Sequence, residues 1–211
     1  MTTIGFIGSG KVGSNLARAA IAHGYDVVLS SSRGPDTLAG LVKNLGRKAR
    51  AATPAEAAAA CDFAVVAIPV TTISQVPVEP LVGKVIIATI NYFPQRFGHI
   101  PEIDQGKATA PGLLQAHLPG SLVVRAFSMI NAVEMSGDGY PKGDPRRRAL
   151  ALAGDDPAAK ELVAGLYDEF GFDPVDIGGL DESWRVDAGQ PAFVVRQNLA
   201  ELKANVARAK R

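Results

Sequence analysis

The chain opens with a short apolar strand that runs straight into a glycine-rich turn, Ile4-Gly5-Phe6-Ile7-Gly8-Ser9-Gly10-Lys11-Val12-Gly13. Ser14 to Ala22, which follows, has helical character. Strand, G-x-G-x-x-G and helix in that order constrain the fold strongly, because each glycine answers a separate demand. Gly8 lets the chain turn off the strand, Gly10 lets the backbone approach a pyrophosphate, and Gly13 lets the helix pack on the strand. The helix N-terminus then offers N–H donors and a positive dipole end to the phosphates. The pattern predicts a βαβ unit that holds a dinucleotide through Gly8, Ser9, Gly10, Lys11, Val12 and Gly13.

The second strand, Asp26-Val27-Val28-Leu29-Ser30, bears on which dinucleotide. A site for NAD usually carries an acidic residue at the end of this strand, where it accepts hydrogen bonds from the ribose 2′-OH. Here the strand ends in Ser30-Ser31-Ser32-Arg33. Hydroxyls and a guanidinium suit a 2′-phosphate, since arginine binds phosphate oxygens through a charge-assisted fork. NADP(H) is therefore the expected cofactor, with Ser31, Ser32 and Arg33 at its phosphate.

The rest of the chain alternates strand and helix, as a doubly wound, mostly parallel sheet requires. A helix is expected over Thr37 to Leu45 and a third strand over Lys48 to Ala51. Thr53-Pro54-Ala55-Glu56 has the pattern of a capping box opening an alanine-rich helix. Phe63–Ile68, Lys84–Ile90 and Ser121–Ser128 are near-continuous apolar runs, the mark of strands buried on both faces. Beyond them come a strand at Arg148–Gly154, a helix at Pro157–Phe170 and a strand at Pro174–Ile177. A last helix is expected to begin near Asp181 or Gln190, with Val195, Leu199, Leu202 and Val206 on its apolar face. The whole, residues 1–211, reads as a single Rossmann-type α/β domain with a small C-terminal α/β elaboration from about residue 140.

The 211 residues carry a net charge of +1, which argues against nucleic acid as a partner. Cys61 is the only cysteine, so no intrachain disulfide or thiolate metal cluster is expected, and its place before an apolar strand suggests a packed, inert thiol. No signal peptide or membrane-spanning run is visible, and a cytoplasmic enzyme without a membrane partner is the default expectation.

Fewer than about 90 residues follow the sixth strand, too few for a large helical substrate domain in addition to two more strands. Substrate should therefore sit in the crevice beyond the strand C-termini. Pro69-Val70-Thr71, Asn91-Tyr92-Phe93-Pro94 and Ser128-Met129-Ile130-Asn131 should face it. None of these segments holds a His, a Lys or paired carboxylates, so no general acid or base presents itself, and the catalytic set is empty. His23, His99 and His117 lie elsewhere, and neither a Ser-His-Asp order nor metal-ligand spacing is present. A lining of Pro, Tyr, Phe, Met and Asn suits a planar redox partner stacked on nicotinamide. Hydride transfer between two cofactors needs positioning more than proton traffic.

Gly8-Ser9-Gly10-Lys11-Val12-Gly13, Ser31-Ser32-Arg33 and Val66-Ala67-Ile68-Pro69 together resemble the F420-dependent NADP oxidoreductases. So do Asn91-Tyr92-Phe93-Pro94, Val123-Val124-Arg125-Ala126-Phe127, Leu114-Gln115-Ala116-His117-Leu118-Pro119, Gly143-Asp144-Pro145-Arg146-Arg147 and Ala153-Gly154-Asp155-Asp156. The resemblance runs in order along essentially the whole chain. It implies a Rossmann domain, usually dimeric, that passes a hydride between NADPH and the deazaflavin coenzyme F420 as a small-molecule co-substrate. Carried over by position, it sets Ser9 to Gly13 at the pyrophosphate, and Ser31, Ser32 and Arg33 at the 2′-phosphate. Ile68 and Pro69 fall beside the nicotinamide ribose. Asn91 joins the cofactor side, while Tyr92, Phe127, Ser128, Met129 and Asn131 fall on the acceptor side. The chain departs from that pattern at Asp36-Thr37, where archaeal members have a lysine, and at Ser128, where bacterial relatives have Asn.

Other features allow two readings each. Arg146-Arg147-Arg148 could grip an anionic tail or form a solvated basic loop, and Trp184 could close over a cofactor, sit at a dimer contact or anchor the last helix. A reductase of a small carbonyl or imine, and a non-catalytic NADP-binding redox sensor, stand as alternatives to the cofactor-to-cofactor enzyme.

Overall fold

Alternation along the strands builds two cores, one on each face of a single sheet. In β1 (Thr3–Ile7) the side chains of Ile4 and Phe6 enter one core and Ile7 enters the other. The same split separates Val27 and Leu29 from Val28 in β2 (Asp26–Ser30), and Phe63 and Val65 from Ala64 and Val66 in β4 (Phe63–Val66). Period-two side chains that are apolar on both sides require a layer of helices on each face. The computed structural model describes all 211 residues, and it supplies those layers.

One face is covered by α1 (Lys11–Ala22), through Leu16, Ala17 and Ala20, and by α7 (Pro157–Glu169), through Ala159, Val163 and Tyr167. α2 (Ala39–Leu45), entered through a 3₁₀ turn at Pro35–Leu38, lies at its margin. The other face is covered by α3 (Pro54–Ala60), through Ala57 and Ala58, and by α6 (Ala110–His117), through Leu114. Two single turns, α4 (Pro94–Phe97) and α5 (Pro101–Asp104), lead into α6.

The sheet has eight strands in the order β3-β2-β1-β4-β5-β6-β7-β8, with β3 at Ala49–Ala52, β5 at Val85–Ala88 and β6 at Leu122–Arg125. β1 to β6 run parallel. β7 (Ala149–Gly154) pairs antiparallel to β6, and β8 (Asp173–Asp176) pairs parallel to β7. This is the Rossmann-type, mostly parallel architecture expected from the sequence. The order reverses at β1, between β2 and β4, so the crevice beyond the C-terminal strand ends opens there.

Local signals explain most boundaries. At Thr53 the capping box forms as written: its hydroxyl accepts from the Glu56 N–H, and the Glu56 carboxylate accepts from the Thr53 N–H. The three buried strands stop earlier than their apolar runs, because Ala67-Ile68-Pro69 turns into the 3₁₀ segment Val70–Gln75 and the chain after β5 and β6 loops over the crevice.

The last helix differs from expectation. The stretch from Leu180 to Val186 is 3₁₀, and α8 begins only at Leu199 (Leu199–Ala207). A second capping box starts it, between Asn198 and Glu201. Val195 therefore lies outside the helix and, like Leu199, is exposed, while Leu202 is buried and Val206 packs beside it. The apolar stripe is half as long as its spacing suggested. No helix is long and apolar enough to cross a membrane.

Candidate functional site

The turn after β1 shows why each of its glycines is there. Gly8 has φ +100°, and a Cβ on it would stand 2.4 Å from the Ala67 carbonyl oxygen. A Cβ on Gly13 would stand 2.1 Å from the Gly8 carbonyl oxygen, so α1 could not approach the turn. Gly10 is different. Its φ is −70°, open to any residue, and a Cβ there meets nothing within 4 Å. Neither conformation nor internal packing asks for glycine at this position, which borders a cavity.

That cavity, about 520 Å³, is floored by Gly8, Ser9 and Gly10 and reaches Ser31, Ser32 and Arg33 on one side, Ile68 and Pro69 on the other. Its size is that of a ligand pocket. Gly10 is the N-cap of α1 and gives no side-chain cap, and the first turn holds no acidic residue. The orphan N–H groups and the positive end of the helix dipole are thus left for an anion. Lys11 stands exposed at the start of α1, with Val12 half-buried and Gly13 buried beneath the turn.

Beyond β2, the buried Ser30 hydroxyl donates to the Phe6 carbonyl (2.8 Å) and ties the two strand ends together. The Ser31 hydroxyl accepts from the Arg33 N–H (3.2 Å) and shapes the turn. Arg33 is exposed and forms no ion pair, even with Asp36 three residues on. A free guanidinium and two serines at the far end of the cavity fit a 2′-phosphate. The residues present therefore fit an NADP-type dinucleotide. Thr72 and Gln75, in the 3₁₀ turn after Pro69, also line the cavity and were not anticipated.

The ends of β5 and β6 depart further from expectation. Phe127 is 1% and Met129 0% exposed. Phe127 adopts φ +53°, donates its N–H to the Tyr167 hydroxyl (2.7 Å) and packs edge-on to that ring. The Met129 sulfur accepts from the Ala151 N–H. Both belong to the core under β7 and not to an acceptor surface, because the antiparallel return of β7 covers them. Ser128 is also buried, its hydroxyl accepting from Arg125 Nε (2.8 Å). Asn131 alone of this stretch is exposed, as the N-cap of the 3₁₀ turn Ala132–Ser136.

Tyr92 is half-buried, and its hydroxyl donates to Asp104 (2.7 Å) and accepts from the Ile100 N–H (3.0 Å). Burial, with the Asp104 carboxylate behind it, pushes the Tyr92 pKa up; the hydrogen bond from Tyr92 holds Asp104 below the usual carboxylate range. Tyr92 and Phe93 border a second cavity of about 760 Å³ with Trp184 and Asp187. Trp184 is half-buried, with the Arg185 and Arg211 guanidiniums 4.7 and 5.4 Å from its ring centre. His99 is exposed and bonded to Asp104, His117 bonds the Val76 carbonyl, and His23 stacks on Phe170. Burial raises the pKa of the Cys61 thiol, as for an inert packed cysteine.

Arg125, the last residue of β6, was missed as part of the site. It is 1% exposed and donates to the Asn91 side chain, to Ser128 and to the 3₁₀ segment around Ser183. The signal was present: a charged residue ending a doubly buried apolar strand must have partners waiting for it. The run Arg146-Arg147-Arg148 is neither a tail grip nor a solvated loop. Arg147 pairs with Asp168 and Asp173, Arg148 with Glu134 and Asp138, and both are buried; only Arg146 is exposed, paired to Asp144 and stacked on Tyr140.

With this geometry in view, comparison with known proteins narrows the class. Residues 3–92 match the family of coenzyme F420-dependent NADP oxidoreductases. The resemblance read from the sequence thus holds over the turn, the second strand and the ends of β4 and β5. Among solved structures, the hypothetical protein SMa0349 of Sinorhizobium meliloti is 29% identical, with a TM-score of 0.79 over 94% of this chain and 96% of that one. A candidate F420-dependent NADP-reductase from Arthrobacter sp. FB24 is 24% identical, with a TM-score of 0.74 over 87% of each chain, and shares the fold. The metalloreductase STEAP3 of Rattus norvegicus is 28% identical over 88% of this chain and 36% of its own length. The protein YjhV of Escherichia coli K12 is 43% identical over 25% of this chain and 39% of its own. The chain spans well under half the length of these last two relatives. An NADP-dependent oxidoreductase is the class on which the matched family and the site agree.

Proposed function

We propose that the protein transfers a hydride between NADP(H) and a deazaflavin of the coenzyme F420 type or a flavin-like acceptor. The observation that carries this reading is Gly10, a glycine with no internal reason to be one, set between an uncapped helix N-terminus and the free guanidinium of Arg33 across one cavity. Ser9 to Gly13 would hold the pyrophosphate, Ser31, Ser32 and Arg33 the 2′-phosphate, and Ile68 and Pro69 would border the nicotinamide ribose. When bound, NADPH supplies a hydride from C4 of its nicotinamide ring.

The chain's own contribution is to bind, to orient and to exclude water. Two acid groups near the ends of β5 and β6 are already engaged. The Tyr92 hydroxyl donates to Asp104, and Asp187 is neutralised by Arg125. That favours an acceptor ring that takes a hydride over a small carbonyl or imine that also needs a positioned acid. The reading takes the redox partner as a small molecule and the enzyme as a homodimer, with neither nucleic acid nor membrane involved.

The test is anaerobic bleaching of oxidised F420 by NADPH at catalytic protein concentration, with free flavin as the control. Loss of the F420 absorbance with little flavin reduction is the expected result. No turnover alongside tight NADPH binding would overturn the proposal in favour of another acceptor or a redox sensor.

A further inference from the structure

Asn91, just beyond β5, has its amide held from both sides. Arg125 Nη2 donates to Asn91 Oδ1 (2.9 Å), and Asn91 Nδ2 donates to the Ser128 carbonyl (2.7 Å). A guanidinium can only donate and a peptide carbonyl can only accept, so these two partners dictate which end of the amide is which. Asn91 Nδ2 carries two hydrogens, and Ser128 takes one. The second has no acceptor in the chain.

Arg125 cannot turn to release this arrangement, because its five N–H groups all have acceptors. Nε donates to Ser128 Oγ (2.8 Å), Nη1 to the Ser183 carbonyl (2.7 Å) and to Asp187, and Nη2 to Asn91 and the Val186 carbonyl (3.3 Å). Three segments are joined in this way: the loop after β5, the loop after β6 and the 3₁₀ stretch Leu180–Val186 with Asp187. Asn91 itself is half-buried and follows the strand next to β4, whose continuation Ile68-Pro69 lines the cavity.

We propose that Arg125 is a positioning residue that makes Asn91 a donor-only contact, its unspent N–H meeting the carboxamide oxygen of a bound nicotinamide. The inference rests on the dinucleotide reading of the cavity. Arg125 touches no ligand; it fixes the face that Asn91 shows. Without it only the Ser128 carbonyl still holds the amide, and the second N–H loses its fixed aim.

Two ligands separate this role from a purely structural one. NADP⁺ carries the nicotinamide, whereas adenosine 2′,5′-bisphosphate carries the 2′-phosphate without it. Titrated into the full chain, Asn91→Ala and Arg125→Gln are each expected to weaken NADP⁺ about tenfold, the worth of one hydrogen bond, and to leave the bisphosphate unchanged. The double variant should be no weaker than Asn91→Ala alone, since Arg125 acts through Asn91. Arg125→Lys, which keeps a charge for Asp187 but supplies fewer donors, is the second variant should the glutamine fail to fold, and it should weaken NADP⁺ selectively as well.

Unchanged NADP⁺ affinity in Asn91→Ala would overturn the ligand contact. Equal losses for both ligands in both Arg125 variants, or additive losses in the double variant, would reduce Arg125 to a brace and overturn its positioning role. A wild-type chain that binds neither ligand would instead remove the dinucleotide reading, and the proposal with it.

Discussion

Three glycines in one turn have three different causes, and only one of them concerns a ligand. Gly8 and Gly13 are fixed by backbone close approach, so their presence would be required in an empty protein as much as in a loaded one. Gly10 has no such reason, and its neighbour across the cavity, Arg33, is a charged group without a partner. These two residues define opposite ends of the same site. Arg33→Ala should weaken NADPH about tenfold or more, the range of a charge-assisted hydrogen bond, while NADH is nearly unaffected. Fluorescence titration of both nucleotides reads this directly, and equal losses would count against a 2′-phosphate at Arg33. The glycine pattern and the Ser-Ser-Arg turn were legible in the sequence, because both are local signals. The acceptor side was not. Phe127 and Met129 look like crevice residues from their place after β6, but β7 returns antiparallel and buries them, a non-local event that no spacing announces.

At the scale of elements, the caps were readable and the partners of the buried charges were not. The Thr53 capping box forms as its residues specify, and the Asn198 box sets the start of the last helix later than its apolar spacing suggests. Arg125 shows in the sequence as a charge ending an apolar strand and Arg147 and Arg148 as part of a basic run, but their carboxylate partners come from distant helices and turns. A further long-range tie links the start of β2 to the end of α7: the Tyr25 hydroxyl donates to Glu169 (2.7 Å), and burial together with that carboxylate pushes the Tyr25 pKa up to about 12. The neutral phenol is therefore favoured in the folded state. Its contribution to stability is complete below about pH 10, where an unfolded tyrosine begins to ionise, and is lost as pH rises to about 12. Denaturant melts across this range should show stability falling with pH, and Tyr25→Phe should flatten part of that slope. An unchanged slope would mean that the Glu169 contact does not hold the proton.

For the whole molecule, the alternation of apolar residues to both faces of each central strand was enough to foresee a doubly wound sheet with two helical layers. What could not be foreseen was how the C-terminal segment closes the β5–β6 side of the crevice, since it does so through one arginine and a 3₁₀ stretch rather than through a helix. The central claim is that the cleft at the sheet's switch point is an NADP site with Gly10 at its narrowest approach. Calorimetric titration of NADPH and NADH into the wild-type chain and into Gly10→Val tests it most directly. The account predicts tighter binding of NADPH than of NADH to the wild type, and no binding of either to a variant that keeps its fold, because a valine side chain has room there only when the pyrophosphate is absent. Undiminished binding to Gly10→Val would contradict it.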